Sequence, residues 1–158
     1  MRSHPDWEVL NRGINGERSD QILGRFRRDV VASEPDFVIV LAGVNDVYQD
    51  FPLEFTEGNL GKMYDIAKRE EVRLVTASIL PFNSMSHRRA IAMKNLNRWI
   101  EARSRVLSAL FCDTSAAVSD RLNSTILADS PDGLHPGVEG YRRMGEALTR
   151  VVERGLGC

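Results

Sequence analysis

Phe37-Val38-Ile39-Val40-Leu41-Ala42, followed at once by Gly43-Val44-Asn45-Asp46, is the stretch from which the fold reads. An unbroken β-branched and aromatic run of this kind is the pattern of a parallel strand buried on both faces. Pro35 ends whatever helix precedes the run, and Gly43 lets the backbone turn sharply where the strand stops. Upstream, Ile22, Leu23, Phe26 and Val30 recur at helical spacing behind Ser19, which is placed as an N-cap. Further upstream, Trp7–Leu10 and the Asn11-Arg12-Gly13 turn read as a strand and its end. Downstream the cycle repeats. Leu60, Met63, Tyr64 and Ala67 mark a helix, and Val72–Leu80 a strand stopped by Pro81. Ile91, Leu96, Trp99, Ile100 and Arg103 mark a long helix, and Leu110–Cys112 a short strand. Val138, Tyr141, Met144, Leu148 and Val151 mark the last helix. Strands alternating with helices predict an α/β protein whose parallel sheet is covered on both faces, with reactive groups gathered beyond the carboxyl ends of the strands.

The chain's 158 residues suit one domain with a single core, and no repeat, low-complexity tract or Pro/Gly linker divides residues 1–158. Net charge is −1 with the basic residues scattered, so there is no electrostatic case for nucleic acid or a membrane surface. No apolar run approaches the ~18 residues of a membrane span. The cysteines are Cys112, in an apolar stretch, and the terminal Cys158, which gives neither a disulfide framework nor metal-ligand spacing. That usage favours a reducing, cytoplasmic setting, and the chain starts without a signal peptide.

Three segments carry chemistry-bearing residues. In Asp132-Gly133-Leu134-His135, an aspartate three residues before a histidine, across a glycine turn, can reach Nδ1 and fix the tautomer. Nε2 then faces outward as a general base. The competing reading is a loop aspartate capping the last helix beside an incidentally exposed histidine. In Gly43-Val44-Asn45-Asp46, Asn45 can lift its amide above the sheet edge as an oxyanion donor, each such donor lowering a barrier by about 2.7–4 kcal/mol; an ordinary Asx turn is the alternative. In Asn11-Arg12-Gly13-Ile14-Asn15-Gly16, Gly16 can turn its N–H toward the same oxyanion. The spacing fits neither a GxGxxG fingerprint nor a Walker loop.

Together these segments resemble the SGNH, or GDSL-type, hydrolase family, in order and at similar spacing over nearly the whole chain. Gly16 matches the family's backbone donor, Asn45 its amide donor, and Asp132 and His135 its acid and base. Val44 departs from the threonine more usual there. The resemblance implies a flavodoxin-like three-layer sandwich with sheet order 2-1-3-4-5. It also implies ester or thioester hydrolysis by Ser-His-Asp chemistry on a small-molecule ester, with no metal or organic cofactor. Tyr48, Phe51 and Phe82, in the loops 46–55 and 81–89, are candidate acyl contacts.

The family's first block, which ends a central strand with the nucleophilic serine, has no counterpart. Ser3 precedes the first recognisable strand and is rejected; Ser78, near a strand end, is a remote candidate. His4 and His87 lack an aspartate at a useful spacing, and Arg88 and Arg89 read as a solvated helix start. Loss of a central strand leaves a gap of ~9.6 Å with unpaired backbone on both sides. Three outcomes are open: the sheet closes up, a neighbouring chain of a homo-oligomer fills the slot, or the natural protein begins upstream of Met1, making this an N-terminally truncated single domain. Two functions stay in view, an ester hydrolase and a ligand-binding module without turnover. A generic nucleotide or regulatory domain lacks the phosphate loop or acidic cluster it needs.

Overall fold

The computed structural model describes His4 and residues 6–157; Ser3 and Cys158 lie outside them. Three strands, β1 Phe37–Val40, β2 Arg73–Ala77 and β3 Leu110–Cys112, stand side by side in that order, all parallel. Register is set by Ile39 beside Val75 and by Ala77 beside Cys112. The helices are α1 Ser19–Asp29, α2 Val44–Tyr48, α3 Leu53–Arg69, α4 His87–Val106, α5 Thr114–Val118 and α6 Val138–Leu156. No helix of the described residues is long and apolar enough to cross a membrane.

The alternation of strand side chains sorts the core into two faces. Val38, Val40 and Leu74 point into one cluster with Phe26 of α1, Leu60, Met63, Tyr64 and Ala67 of α3, and Met93, Leu96 and Ile100 of α4. Val75 and Cys112 point the other way, onto Val151 and Val152 of α6. The α3 positions follow i, i+3, i+4 and i+7, which is why that helix forms and which face it buries. Leu60 and Met63, both fully buried, are each worth about 1.5–3 kcal/mol of apolar transfer. α4 starts where the Ser86 hydroxyl accepts the Arg89 N–H, and α6 stops at Gly157, whose φ of 78° closes the last turn. Burial pushes the Cys112 thiol up, with the Asp113 charge adding to the effect; it is a core residue of β3.

Four expectations change. Trp7–Leu10 forms no strand and pairs with none among the described residues. Instead Trp7 stacks on His4 and packs against the α6 cluster, while His4 Nε2 lies 2.6 Å from Glu153 of α6. A strand exists only through a partner's hydrogen bonds, and no described segment gives Trp7–Leu10 any. β1 is likewise not covered on both faces: Ile39, on the α6 side, is 43 % exposed and Leu41 36 %. The sheet has therefore not closed up. β2 is shorter than Val72–Leu80: the Ser78 N–H still donates to the Cys112 carbonyl at 3.1 Å, but beyond it side chains take over, Asn97 accepting the Ile79 N–H at 2.7 Å and donating to its carbonyl at 3.0 Å. Ser19 is the first residue of α1 rather than its N-cap, a position held by Arg18.

Candidate active site

Because all three strands are parallel, the segments that follow them emerge on one edge. After β1 come Gly43 and α2. Gly43 sits at φ 113°, and a Cβ there would lie 3.1 Å from side-chain carbons of Leu96 and Thr56, so both conformation and space demand glycine. The turn presents Asn45 and Asp46 in consecutive positions. Asn45 Nδ2 donates to the Glu17 carbonyl at 2.8 Å, which brings it against the loop that holds Gly16. Gly16 is exposed and has φ 81°, with open space where a Cβ would be, so its requirement is conformational alone.

Asp46 is fully buried. Its carboxylate accepts from the Ser19 N–H at 2.9 Å, the Ser19 hydroxyl at 2.5 Å and the Thr56 hydroxyl at 3.3 Å. Burying such a group without hydrogen bonds is prohibitive; here three donors meet it.

The 130–137 loop precedes α6. His135 Nδ1 lies 2.7 Å from Asp132 Oδ2, and Asp132 Oδ1 accepts the backbone N–H groups of Leu134 and His135, both at 2.8 Å. The His135 ring, then the two N–H groups, hold the Asp132 carboxyl well below the usual carboxylate range. Both side chains remain more than half exposed. Gly133, at φ 75°, makes the turn between them, and the Ser130 hydroxyl donates to the His135 carbonyl at 2.7 Å. The loop is docked onto the segment after β2 by Asn83. Its N–H donates to the Gly133 carbonyl at 2.6 Å and its Oδ1 accepts the Leu127 N–H at 2.8 Å.

The structure therefore joins Asp132 to His135 and Asn45 to the Gly16 loop. Of the aromatic candidates, Tyr48 is 43 % exposed and meets Phe82 edge-on at 5.4 Å, while Phe82 itself is 1 % exposed and lies beneath it. Phe51 packs on Phe55 and under the Arg18 guanidinium. Arg89 does more than solvate a helix start: it pairs with both Asp50 oxygens and sits over the Tyr48 ring. Ser78 is a core residue, donating to Asp113 and accepting from the Ser115 N–H, with no histidine against it. Sequence reasoning passed over Asp46 and Asn83. The Asn-Asp pair after an apolar strand carried a signal for the first; a lone loop asparagine carried none for the second.

A parallel sheet with an Asp–His pair and an amide-bearing loop beyond its carboxyl edge is the layout of an α/β acylhydrolase. A sequence profile of the GDSL-like lipase/acylhydrolase family matches residues 1–143, and the chain belongs to that family of esterases and acylhydrolases. An acetylxylan esterase of Geobacillus stearothermophilus is 29 % identical over 157 residues, covering 91 % of this chain and 71 % of that protein. A GDSL-like lipase of Bacteroides thetaiotaomicron superposes with a TM-score of 0.83 at 30 % identity, over 92 % of this chain and 76 % of the other. A lipolytic protein of the G-D-S-L family from Desulfitobacterium hafniense gives 0.81 at 25 %, over 91 % and 81 %.

Proposed function

We propose that the chain carries the acid–base pair and the oxyanion donors of an esterase acting on small-molecule acyl esters. The observation that carries the reading is the Asp132–His135 hydrogen bond. Asp132 holds Nδ1, so the imidazole turns Nε2 outward as general base toward an attacking hydroxyl, and later returns that proton to the leaving alcohol. The Gly16 N–H and the second hydrogen of the Asn45 amide meet the oxyanion of the tetrahedral intermediate, each worth about 2.7–4 kcal/mol of barrier. Tyr48, backed by Phe82, walls the acyl side together with Phe51.

The attacking group in this reading is a serine hydroxyl, with water releasing the acyl group in a second step. No serine hydroxyl of the described residues is hydrogen-bonded to the His135 ring. That observation favours a second reading, a module of the same fold that binds an ester or its acid without turnover, since a triad without its nucleophile loses about 10⁶ in rate. Solved forms of the Geobacillus acetylxylan esterase include catalytic mutants in which a serine or an aspartate is replaced by alanine, which supports serine and aspartate in these roles. An acetylated sugar is accordingly the first substrate to try. Cysteine usage supports a cytoplasmic setting.

The test is fluorophosphonate labelling with peptide mapping, alongside hydrolysis of p-nitrophenyl acetate and acetylated xylo-oligosaccharides, each repeated with His135→Ala. Labelling of one serine and turnover that both vanish in the variant support the esterase. Saturable binding of the ester by a folded protein that neither labels nor hydrolyses establishes the binding module instead.

A further inference from the structure

We infer that Asp46 is the positioning residue of the oxyanion site, acting by clamping the Gly16 loop to the Asn45 loop; this rests on the reading of Gly16 and Asn45 as donors. The N-cap of α1 is Arg18, whose guanidinium has only donors, and Gln21 of the first turn accepts the Arg18 N–H at 3.0 Å, which leaves the Ser19 N–H without an acceptor inside the helix. Asp46, 27 residues further along the chain, supplies that acceptor from another loop, taking the Ser19 N–H at 2.9 Å and the Ser19 hydroxyl at 2.5 Å. Ser19 is fixed from the far side as well, its Oγ accepting from Asn59 Nδ2 at 3.0 Å. No lysine, arginine or histidine of the described residues pairs with Asp46, so its buried carboxyl group answers only to these hydroxyl and amide donors and serves no ion pair.

The geometric consequence lies in adjacency. Asn45 and Asp46 are consecutive, and both grip the three-residue stretch Glu17–Ser19: Asn45 donates to the Glu17 carbonyl at 2.8 Å, and Asp46 accepts from the Ser19 N–H at 2.9 Å. Gly16 directly precedes Glu17. Two anchors a residue apart on one loop, meeting two anchors two residues apart on the other, leave the loops no freedom to slide. The separation of the Gly16 N–H from the Asn45 amide is thereby set by Asp46, a residue that itself faces no solvent. A donor misplaced by about 1 Å costs on the order of 10²-fold in rate.

The experiment compares Asp46→Ala and Asp46→Asn with the parent protein at a temperature where circular dichroism shows all three folded. Asparagine keeps an oxygen for the Ser19 N–H, and alanine keeps nothing. Two readouts are taken: the ¹⁵N–¹H resonances of the Gly16 amide and the Asn45 side chain, and kcat and KM for p-nitrophenyl acetate. Expected for alanine are displaced resonances at both groups and a kcat lower by about 10²-fold with KM little changed; asparagine recovers most of both. A lower Tm with both resonances and kcat unmoved makes Asp46 a plain structural strut and overturns the proposal. Absence of turnover in the parent sinks the esterase reading alone, since the resonances still decide the clamp. If the alanine variant does not fold, Ser19→Ala, which removes one of the two Ser19 bonds, is expected to shift the same resonances by less; unshifted resonances there count against the clamp.

Discussion

Replacing Asn83 by alanine isolates the hold that the β2 side of the site has on the histidine loop. The backbone bond from the residue 83 N–H to the Gly133 carbonyl survives the change, since it needs no side chain. The side-chain oxygen does not, and the Leu127 N–H loses its acceptor. Leu127 is 4 % exposed, so water does not replace that acceptor without the segment opening. An orphaned buried donor costs about 1–3 kcal/mol, which is roughly a 5- to 150-fold rise in the equilibrium for local opening. The rise belongs to residues 127–137, because the strands and α4 are held by other bonds. Hydrogen–deuterium exchange with peptide resolution measures it: exchange across 127–137 is expected to accelerate by that factor while β2 and α4 keep their rates. Any ester turnover is expected to fall in kcat as His135 spends more time out of place. Unchanged exchange at 127–137, or an acceleration shared equally by every peptide, refutes the reasoning.

Three further outcomes are expected. Tyr64 lies fully buried, with its hydroxyl unpartnered among the described residues and burial pushing its ionisation up; Tyr64→Phe is expected to raise stability by about 1–3 kcal/mol in chemical denaturation, and a loss of stability contradicts the orphaned hydroxyl. Gly43→Ala places a Cβ at φ 113° and 3.1 Å from Leu96 and Thr56, so thermal melts are expected to show about 1–3 kcal/mol of destabilisation, with a neutral result ruling out the strained turn. The Asp132 carboxyl is held below its ordinary range by His135 and two N–H groups. Its folded value lies below the unfolded one, so its contribution is complete above about pH 4 and is lost as pH falls further. Glu139, lowered to about 2 by Arg142 and then Arg143, carries the same sign. Melts between pH 5 and 2 are expected to fall less steeply for Asp132→Asn than for the parent; parallel curves refute this.

The last helix, the long α4 and the α3 stripe of Leu60, Met63, Tyr64 and Ala67 were legible because helical periodicity is a local property, completed within a few turns of one segment. Asp132-x-x-His135 was legible for the same reason: the pair closes through a four-residue turn with Gly133 at its bend. β2 and β3 were recognisable from apolar runs, β3 with its bounds Leu110–Cys112, but the end of β2 was not, since Asn97 meets the chain past β2 from 18 residues away.

What the sequence by itself determined is the order of elements and the local chemistry of each loop. What only the tertiary structure decided is which loops are tied together and which segments find a partner. Trp7–Leu10 has a strand's composition and no strand's hydrogen bonds, because a strand is a relation between two segments and no property of one. Asp46 looked like turn chemistry until Ser19, 27 residues back, was seen to need its oxygen. Asn83 gained its role only when the chain returned 44 residues later with Leu127. Contacts at such separations arise from packing the whole domain, and no local pattern encodes them.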